Sequence, residues 1–363
     1  MDLKLNDANL AIDSQQAMRE AIQNIAVGPD RGRDISRELV ALVMRGILSG
    51  DIDEVQTAVF LIALRMKRES IDEFLGLFDT LFDSTDSVVA EVDDVVILAD
   101  PFDGYVRNTT MTPFMPAVLS ACGHTSVIHG VETVGPKHGV TAHKVYKLAG
   151  INTQCAADVV ASNLPEFGWG YVDQCSYAPA LFGLQDLRGR IVKRTALTTL
   201  ERLLMPICGR LNTHLVLGYV HKAYPSIYAR VAKEAGYDST LLLKGVEGGL
   251  APALNKPLRR FFFKDELPVD IDAEKQLLES EAIFNASSAA QSMVDSETAV
   301  EECLENGLQV LNGAKSIARD SLCLASAQIL IAYQEGLSLF DAVEKVQMCL
   351  DNGSAKQRFS AML

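Results

Sequence analysis

The chain has 363 residues, of which 48% are hydrophobic and 22% charged, and its formal net charge is −14. That length fits one large domain or two ordinary ones, and the composition supports a packed core and excludes wholesale disorder. The acidity argues against a generic nucleic-acid coat, and no apolar run approaches the roughly eighteen residues needed to span a bilayer.

Residues 1–30 are polar and weakly helical, and the opening MDLKLNDANLAIDSQQ lacks the basic start and apolar block of a secretory signal. Asp34 or Ser36 can cap a helix carrying Leu39, Val40, Val43, Met44 and Ile47 at three- and four-residue steps, ended by Ser49-Gly50. A second helix is predicted from Val55 to Arg68, with Val59, Phe60, Ile62, Ala63 and Met66 as its buried stripe, and a third from Ile71 to Asp83. The first ninety residues therefore read as an all-helical unit. From Val95 the texture changes. The run Val95–Asp100 and the segment Ser126–Gly130 read as buried strands. A helix is expected over Thr112–Cys122 and another over Val140–Ala149, stopped by Gly150. Strands follow at His214–Gly218 and Ser239–Gly245, with an amphipathic helix at Pro225–Gly236 between them. Three helices close the chain, at about 299–313, 316–335 and 338–352. Alternating strands and helices imply an α/β fold with a mainly parallel central sheet, joined to the small N-terminal helical domain.

Seven cysteines are scattered, with no CxxC pair, which points to reduced thiols in a cytoplasm-like compartment. Charge is uneven. Gln185–Lys264 carries fourteen Lys/Arg against five Asp/Glu, whereas Asp265–Glu305 carries twelve acids against Lys275 alone. The basic stretch reads either as solvated faces or as a cationic cleft placed for phosphates.

Three places hold residues suited to chemistry. The turn after the first strand, ADPFDGYVRNTTMTP, offers Arg107, Asn108, Thr109, Thr110 and Thr112 as donors to phosphate oxygens beyond the carboxyl end of a parallel strand. A structural turn fits the same residues. Asp100 and Asp103 oppose an anion there unless a metal ion intervenes. The second place is His129-Gly130 with Lys137, His138 and His143, whose spacings do not suit a zinc site, so no metal is assigned. The third is the cluster Arg188, Arg190, Lys193 and Arg194, suited to clamping a carboxylate or phosphate. A P-loop, a G-x-G-x-x-G fingerprint and a G-x-S-x-G elbow are all absent, and spacing alone picks out no nucleophile.

The segment GRDISRELVALVMRGILSGDIDEVQTAVFLIALRMKRESIDEFLG (Gly32–Gly76) resembles the small N-terminal domain of anthranilate phosphoribosyltransferases, within the glycosyltransferase family 3 and nucleoside phosphorylase fold. The resemblance continues through ADPFDG, VIHG, the Lys137 segment and KRTALTTLERLLMP, over roughly residues 30–260. It implies a helical domain of residues 1–90, completed by about 185–212, and an α/β domain of residues 91–363, with substrates meeting in the cleft between them. It also implies a homodimer formed through the helical domain. The implied reaction moves phosphoribosyl from phosphoribosyl pyrophosphate to a small aromatic acceptor, mostly by positioning and charge neutralisation.

Carried over residue by residue, the resemblance makes Asp103, Gly104, Arg107, Thr109, Thr112, His129, Gly130 and Lys137 the phosphoribosyl-binding set, and Arg188 and Arg194 the acceptor-binding pair. The family's glycine-rich turn falls on Ala99–Asp103. Its Asn-x-Ser-Thr segment falls on Thr109–Thr112, with Met111 in place of serine, and its Lys-His-Gly-Asn turn falls on Ile128–Val131. Mg²⁺ is implied as well, but the family's acidic pair falls near Leu250-Ala251, with Glu247 close by. Pro101, Phe102, Gly104, Arg107, Thr112 and Pro113, with Val127–Val131, resemble a second branch that keeps the fold and includes members binding nucleic acid through a basic groove on a dimer. That branch makes the alternative a non-catalytic nucleic-acid binder using Arg188–Arg260.

Overall fold

The computed structural model describes residues 3–28, 31–107, 109–254, 256–264, 269–271 and 299–363; the side chains of residues 3–12 and 269–271 are outside that description. Asn108 and most of the acidic stretch 265–305 therefore lie outside the described residues. The chain divides into two compact units, one of Met1–Asp86, Val134–Pro136 and Ala178–Leu204, the other of Ser87–Thr133, Lys137–Tyr177 and Met205–Leu363.

The first unit is helical: α1 (Leu3–Ile25), α2 (Arg37–Leu48), α3 (Glu54–Lys67) and α4 (Ile71–Asp83), with short helices within 179–203. Local chemistry sets the starts. Ser36 Oγ accepts from the Leu39 N–H, and Asp53 Oδ1 accepts from Val55 and Gln56. Ser70 and Glu73 form a capping box. Glu73 is fully buried and also accepts from the Ile35 N–H and pairs with Lys67 at 2.9 Å, so the cap doubles as an inter-helix tie. On α2 the buried face is Val40, Val43, Met44 and Ile47, as the periodicity indicates. On α3 the expected stripe is corrected. Thr57, Phe60, Leu61 and Leu64 are buried, while Val59 and Met66 are 42% and 72% exposed. This helix is apolar on both faces, so hydrophobic spacing does not choose between them.

The second unit is built on a sheet. β1 (Val88–Val89) pairs with β5 (Ile207–Cys208) as a small parallel ribbon. The main sheet contains β2 (Asp94–Ala99), β3 (Ser126–Gly130), β4 (Trp169–Asp173), β6 (Asn212–Tyr219), β7 (Ser239–Lys244), β8 (Arg260–Phe263) and β9 (Val269–Ile271), in the order β4-β3-β2-β6-β7-β8-β9. The first five strands of that order run parallel, and β8 and β9 are antiparallel. Burial on both faces explains why β2 and β3 read as near-continuous apolar runs. Helices Met115–Ala121, Ala157–Phe167 and Tyr224–Glu234 make crossovers, and the last four helices, from Ala299–Leu311 to Ser354–Ser360, complete the cover. The final helix brings Phe359 flat onto Trp169, with ring centroids 6.0 Å apart, and the Trp169 indole N–H donates to the Arg358 carbonyl. Gly307 sits where a Cβ would fall 1.9 Å from the Phe114 ring, so this face of Ala299–Leu311 must be bare.

The strand at Trp169–Asp173, the helix before it and the antiparallel pair β8–β9 have no counterpart among the sequence expectations. Among the described residues no helix is long and apolar enough to cross a membrane.

Candidate functional site

The parallel strands end together at Ala99, Gly130, Asp173, Tyr219 and Lys244, and the turns that follow form the edge where ligands of open α/β sheets bind. The turn after β2 is stitched to residues 139–140. Tyr105 N–H donates to the Val140 carbonyl, Val140 N–H to the Tyr105 carbonyl, and Gly139 N–H to the Asp103 carbonyl. Gly104 has φ +74°, and a Cβ there would lie 2.6 Å from the Val140 carbonyl oxygen, so the crossing requires glycine. Tyr105 Oη donates to Asp100 Oδ1 at 2.6 Å. Burial foremost, and then the Asp100 charge, push this hydroxyl well above the usual phenol range, so it stays protonated as a donor. A Cβ on Gly249 would fall 1.5 Å from Tyr105 Oη, so the tyrosine occupies the space that this glycine vacates.

Glu247 closes the turn from the other side. It stands at φ +53°, a left-handed conformation costing a non-glycine residue roughly 1–2 kcal/mol. Its carboxylate accepts from the Arg107 N–H at 2.8 Å, from the Val106 N–H at 3.2 Å and from Lys137 Nζ at 2.9 Å. Lys137 Nζ also donates to the Gly104 carbonyl and lies 3.7 Å from Asp103 Oδ1 and 5.9 Å from the Tyr105 ring centroid. Two backbone N–H groups and an ammonium thus converge on one oxyanion. This donor set is the kind that receives a phosphoryl oxygen, and here it holds the chain's own carboxylate.

Gly104, Arg107 and Lys137 meet at this point, with Asp103 beside them. Arg107 is exposed, and Thr109 is half-buried. Thr112 is fully buried and receives the Thr110 hydroxyl at 2.9 Å, so its place is under the turn. His129 is buried at the end of β3, with Nδ1 2.7 Å from Tyr177 Oη and its ring edge-on to Phe102. Gly130 follows it, and a Cβ there would make only ordinary contacts at 3.9 Å with Phe102 and Tyr171. His143 pairs with Asp173 at 2.7 Å, and His138 faces solvent beside Thr133. Burial pushes the Asp173 carboxyl up, but hydrogen bonds from His143 and Cys175 outweigh it and hold the group below its ordinary range.

Arg188 and Arg194 belong to the helical unit. Arg188 is buried in a bidentate pair with Glu201, at 2.7 and 2.6 Å. Arg194 is half-buried. The basic stretch from Gln185 to Lys264 does not lie in one unit. Its cations divide between the two units, and several are already engaged: Arg188 by Glu201, Arg190 by Glu54 and Asp186, and Arg210 by Asp93. Arg260 is buried and donates to the Gln328 carbonyl. Pairing with acids thus engages part of the basic stretch.

The residues at the edge do not suit Mg²⁺. Glu247 spends its oxygens on three N–H donors, Lys137 fills the space between Asp103 and Glu247, and Leu250 and Ala251 are buried apolar residues. Among the described residues no cluster of three metal-capable side chains occurs.

Two further features escape sequence reading. Glu247 reaches Lys137 across 110 residues and Arg107 across 140. Beside it a cavity of about 610 Å³ is lined by Arg107, Lys222, Lys244, Lys256 and Arg259. The local signal for this edge is the glycine-rich run Gly245-Val-Glu-Gly-Gly249 after a predicted strand. At the opposite, amino edge, His124 and His214 line a second cavity of about 620 Å³.

Comparison with known proteins decides the family. A family model described as "Glycosyl transferase family, helical bundle domain" matches residues 19–85, and one described as "Glycosyl transferase family, a/b domain" matches residues 104–356. The chain belongs to this glycosyl transferase family. It is an anthranilate phosphoribosyltransferase-like protein. An anthranilate phosphoribosyltransferase of Delftia acidovorans is 23% identical over 97% of each chain, and an uncharacterized protein of Aquifex aeolicus is 27% identical over 69% of this chain and 79% of that one. Among solved structures, the anthranilate phosphoribosyltransferase of Saccharomyces cerevisiae in complex with PRPP and Mg superposes with a TM-score of 0.75 at 14% identity, covering 96% of this chain and 98% of that one. The anthranilate phosphoribosyltransferase of Thermus thermophilus gives 0.70 at 17% identity, covering 95% and 98%. At these identities the likeness is one of fold.

Proposed function

We propose that this protein transfers a phosphoribosyl group from phosphoribosyl pyrophosphate to a small aromatic amine, with the phosphates held at the carboxyl edge of the sheet. The observation that carries this reading is the convergence of the Val106 and Arg107 N–H groups and the Lys137 ammonium on one oxyanion. In the reaction, the bond from the sugar's C1 to pyrophosphate breaks as the amine nitrogen bonds to C1, negative charge builds on the departing diphosphate, and the nitrogen's surplus proton leaves to solvent. Once Glu247 has given up its place, Lys137 and the two N–H groups oppose that charge. Arg107 extends the same positive rim, and Gly104 lets the backbone approach. Asp103, Thr109, Thr112, His129 and Gly130 shape the turn beneath. Arg194, with Arg188 braced by Glu201, takes the acceptor's acid group.

No step is assigned to magnesium. Calorimetry with phosphoribosyl pyrophosphate, with and without magnesium, tests the binding half. Pyrophosphate release on adding anthranilate tests the transfer, and absence of heat at millimolar ligand overturns the reading.

The protein also forms a homodimer through the helical unit in this reading. Val55, Val59 and Met66 are 73%, 42% and 72% exposed at helical spacing along α3, and a second copy would cover that stripe. Val59→Asp with Met66→Asp is expected to give monomer by light scattering.

A further inference from the structure

We propose that Glu247 is a displaceable internal counter-ion, and that the cavity beside it is an entry pocket for small ligands bearing a diphosphate group. The proposal rests on the reading that this edge takes phosphate, but not on any transfer occurring there.

The pocket is unusual in its charge. Arg107, Lys222, Lys244, Lys256 and Arg259 line it, and among the described residues Glu247 is its single acid. Lys222 lies in the turn after β6, Lys244 is the last residue of β7, and Lys256 and Arg259 precede β8, so three separate segments bring like charges to one cavity. Among the described residues, none of Lys222, Lys244, Lys256 and Arg259 has an acidic side chain within 4 Å. Like charges gathered around a concave space lower the free energy of a multivalent anion in it. At about 610 Å³ the space holds a small phosphorylated molecule and is too small for a folded partner.

Glu247 is placed to answer that charge internally. It accepts from the Val106 and Arg107 N–H groups and from Lys137, where a phosphoryl oxygen would sit. Its left-handed backbone lies in a run with Gly245, Gly248 and Gly249, and Gly248 is itself left-handed at φ +85°. Glu247 itself lines the cavity, so rotation about its side-chain bonds is enough to carry the carboxylate away. A diphosphate brings more negative charge than one carboxylate to the same N–H donors and engages the four surrounding cations as well. Exchange therefore favours the ligand, and Glu247 raises the threshold at which it binds. Monovalent anions lack the charge to win that competition.

The test is isothermal titration of inorganic pyrophosphate, without metal, into the full-length protein and into Glu247→Gln. Removing the internal charge is expected to tighten pyrophosphate binding at least tenfold and to make inorganic phosphate measurable as a ligand. Glu247→Asp is expected to fall between the two and serves as the readout if Glu247→Gln melts at lower temperature. Lys244→Ala with Lys256→Ala and Arg259→Ala is expected to weaken pyrophosphate at least tenfold in either background, with a shallower dependence on salt. Equal or weaker binding by both Glu247 variants overturns the proposal, as does an affinity that the triple variant leaves unchanged. A single-stranded oligonucleotide binding where pyrophosphate does not also overturns it. Lack of phosphoribosyl transfer alongside the expected titration would remove the transferase reading and leave this one standing.

Discussion

Two ion pairs of similar length sit in very different surroundings. Arg188 and Glu201 are almost wholly buried in the helical unit, and the two guanidinium nitrogens meet both carboxylate oxygens. Lys137 and Glu247 lie under the carboxyl edge of the sheet, with side chains 14% and 8% exposed, on the border of a cationic cavity and on a glycine-flanked turn. The first pair is enclosed and matched oxygen to nitrogen, and behaves as a strut. The second has alternatives on both sides: Glu247 faces further cations, and Lys137 faces Asp103 and the Gly104 carbonyl. The difference teaches that a salt bridge's role follows from what each partner does when the other leaves.

The largest effect expected from that contrast is on Arg188→Met. It takes both guanidinium hydrogen bonds from the buried Glu201 carboxylate and should cost about 3–5 kcal/mol in urea unfolding, most of which the double variant with Glu201→Leu restores. A loss below about 1 kcal/mol would break the comparison at its structural end. Tyr105→Phe comes next. It deprives buried Asp100 of a charge-assisted hydrogen bond and empties the space that the hydroxyl fills beside Gly249, and should cost about 2 kcal/mol. Lys137→Met should cost only about 1 kcal/mol, since Glu247 keeps two backbone donors and has the cavity to turn into, while pyrophosphate affinity falls at least tenfold. A stability loss as large as that of Arg188→Met would show the two pairs to be alike.

The smallest effect separates pairing from burial alone. Burial, before any charge, holds His124 and His214 at the amino edge below the usual imidazole range. The unfolded chain therefore takes up more protons than the folded one once pH falls below about 6.5. The stability these groups contribute is full above that pH and is lost as pH falls through their folded-state values. Melting temperature should drop between about pH 7.5 and 5.5, and His214→Phe with His124→Gln should flatten the slope. An unchanged slope would place the acid sensitivity elsewhere.

Much of the fold is legible in the residues. Ser36, Asp53 and Ser70 mark helix starts, Gly150 marks a helix end, and the apolar runs at 94–99 and 126–130 are strands, because caps and burial periods act within a few residues of their cause. The helix Ala157–Phe167 and the strand behind it escape because Pro165 interrupts the pattern and aromatic residues alternate with glycine at Trp169-Gly170-Tyr171. Legibility at the site divides similarly. Lys137, Gly104 and Arg107 can be picked out one at a time, whereas Glu247 acquires its meaning from groups more than a hundred positions away.

The helical opening, the parallel strands with their covering helices, and the family all follow from the order of residues, since capping, periodicity and motif order are local or collinear properties. Folding in three dimensions settles which face of α3 is covered, which arginines are claimed by acids, and that Glu247 gathers the Val106 and Arg107 N–H groups and the Lys137 ammonium. Those outcomes depend on which charge or apolar face is nearest once the chain has folded, and spacing along a line carries no information about nearness in space.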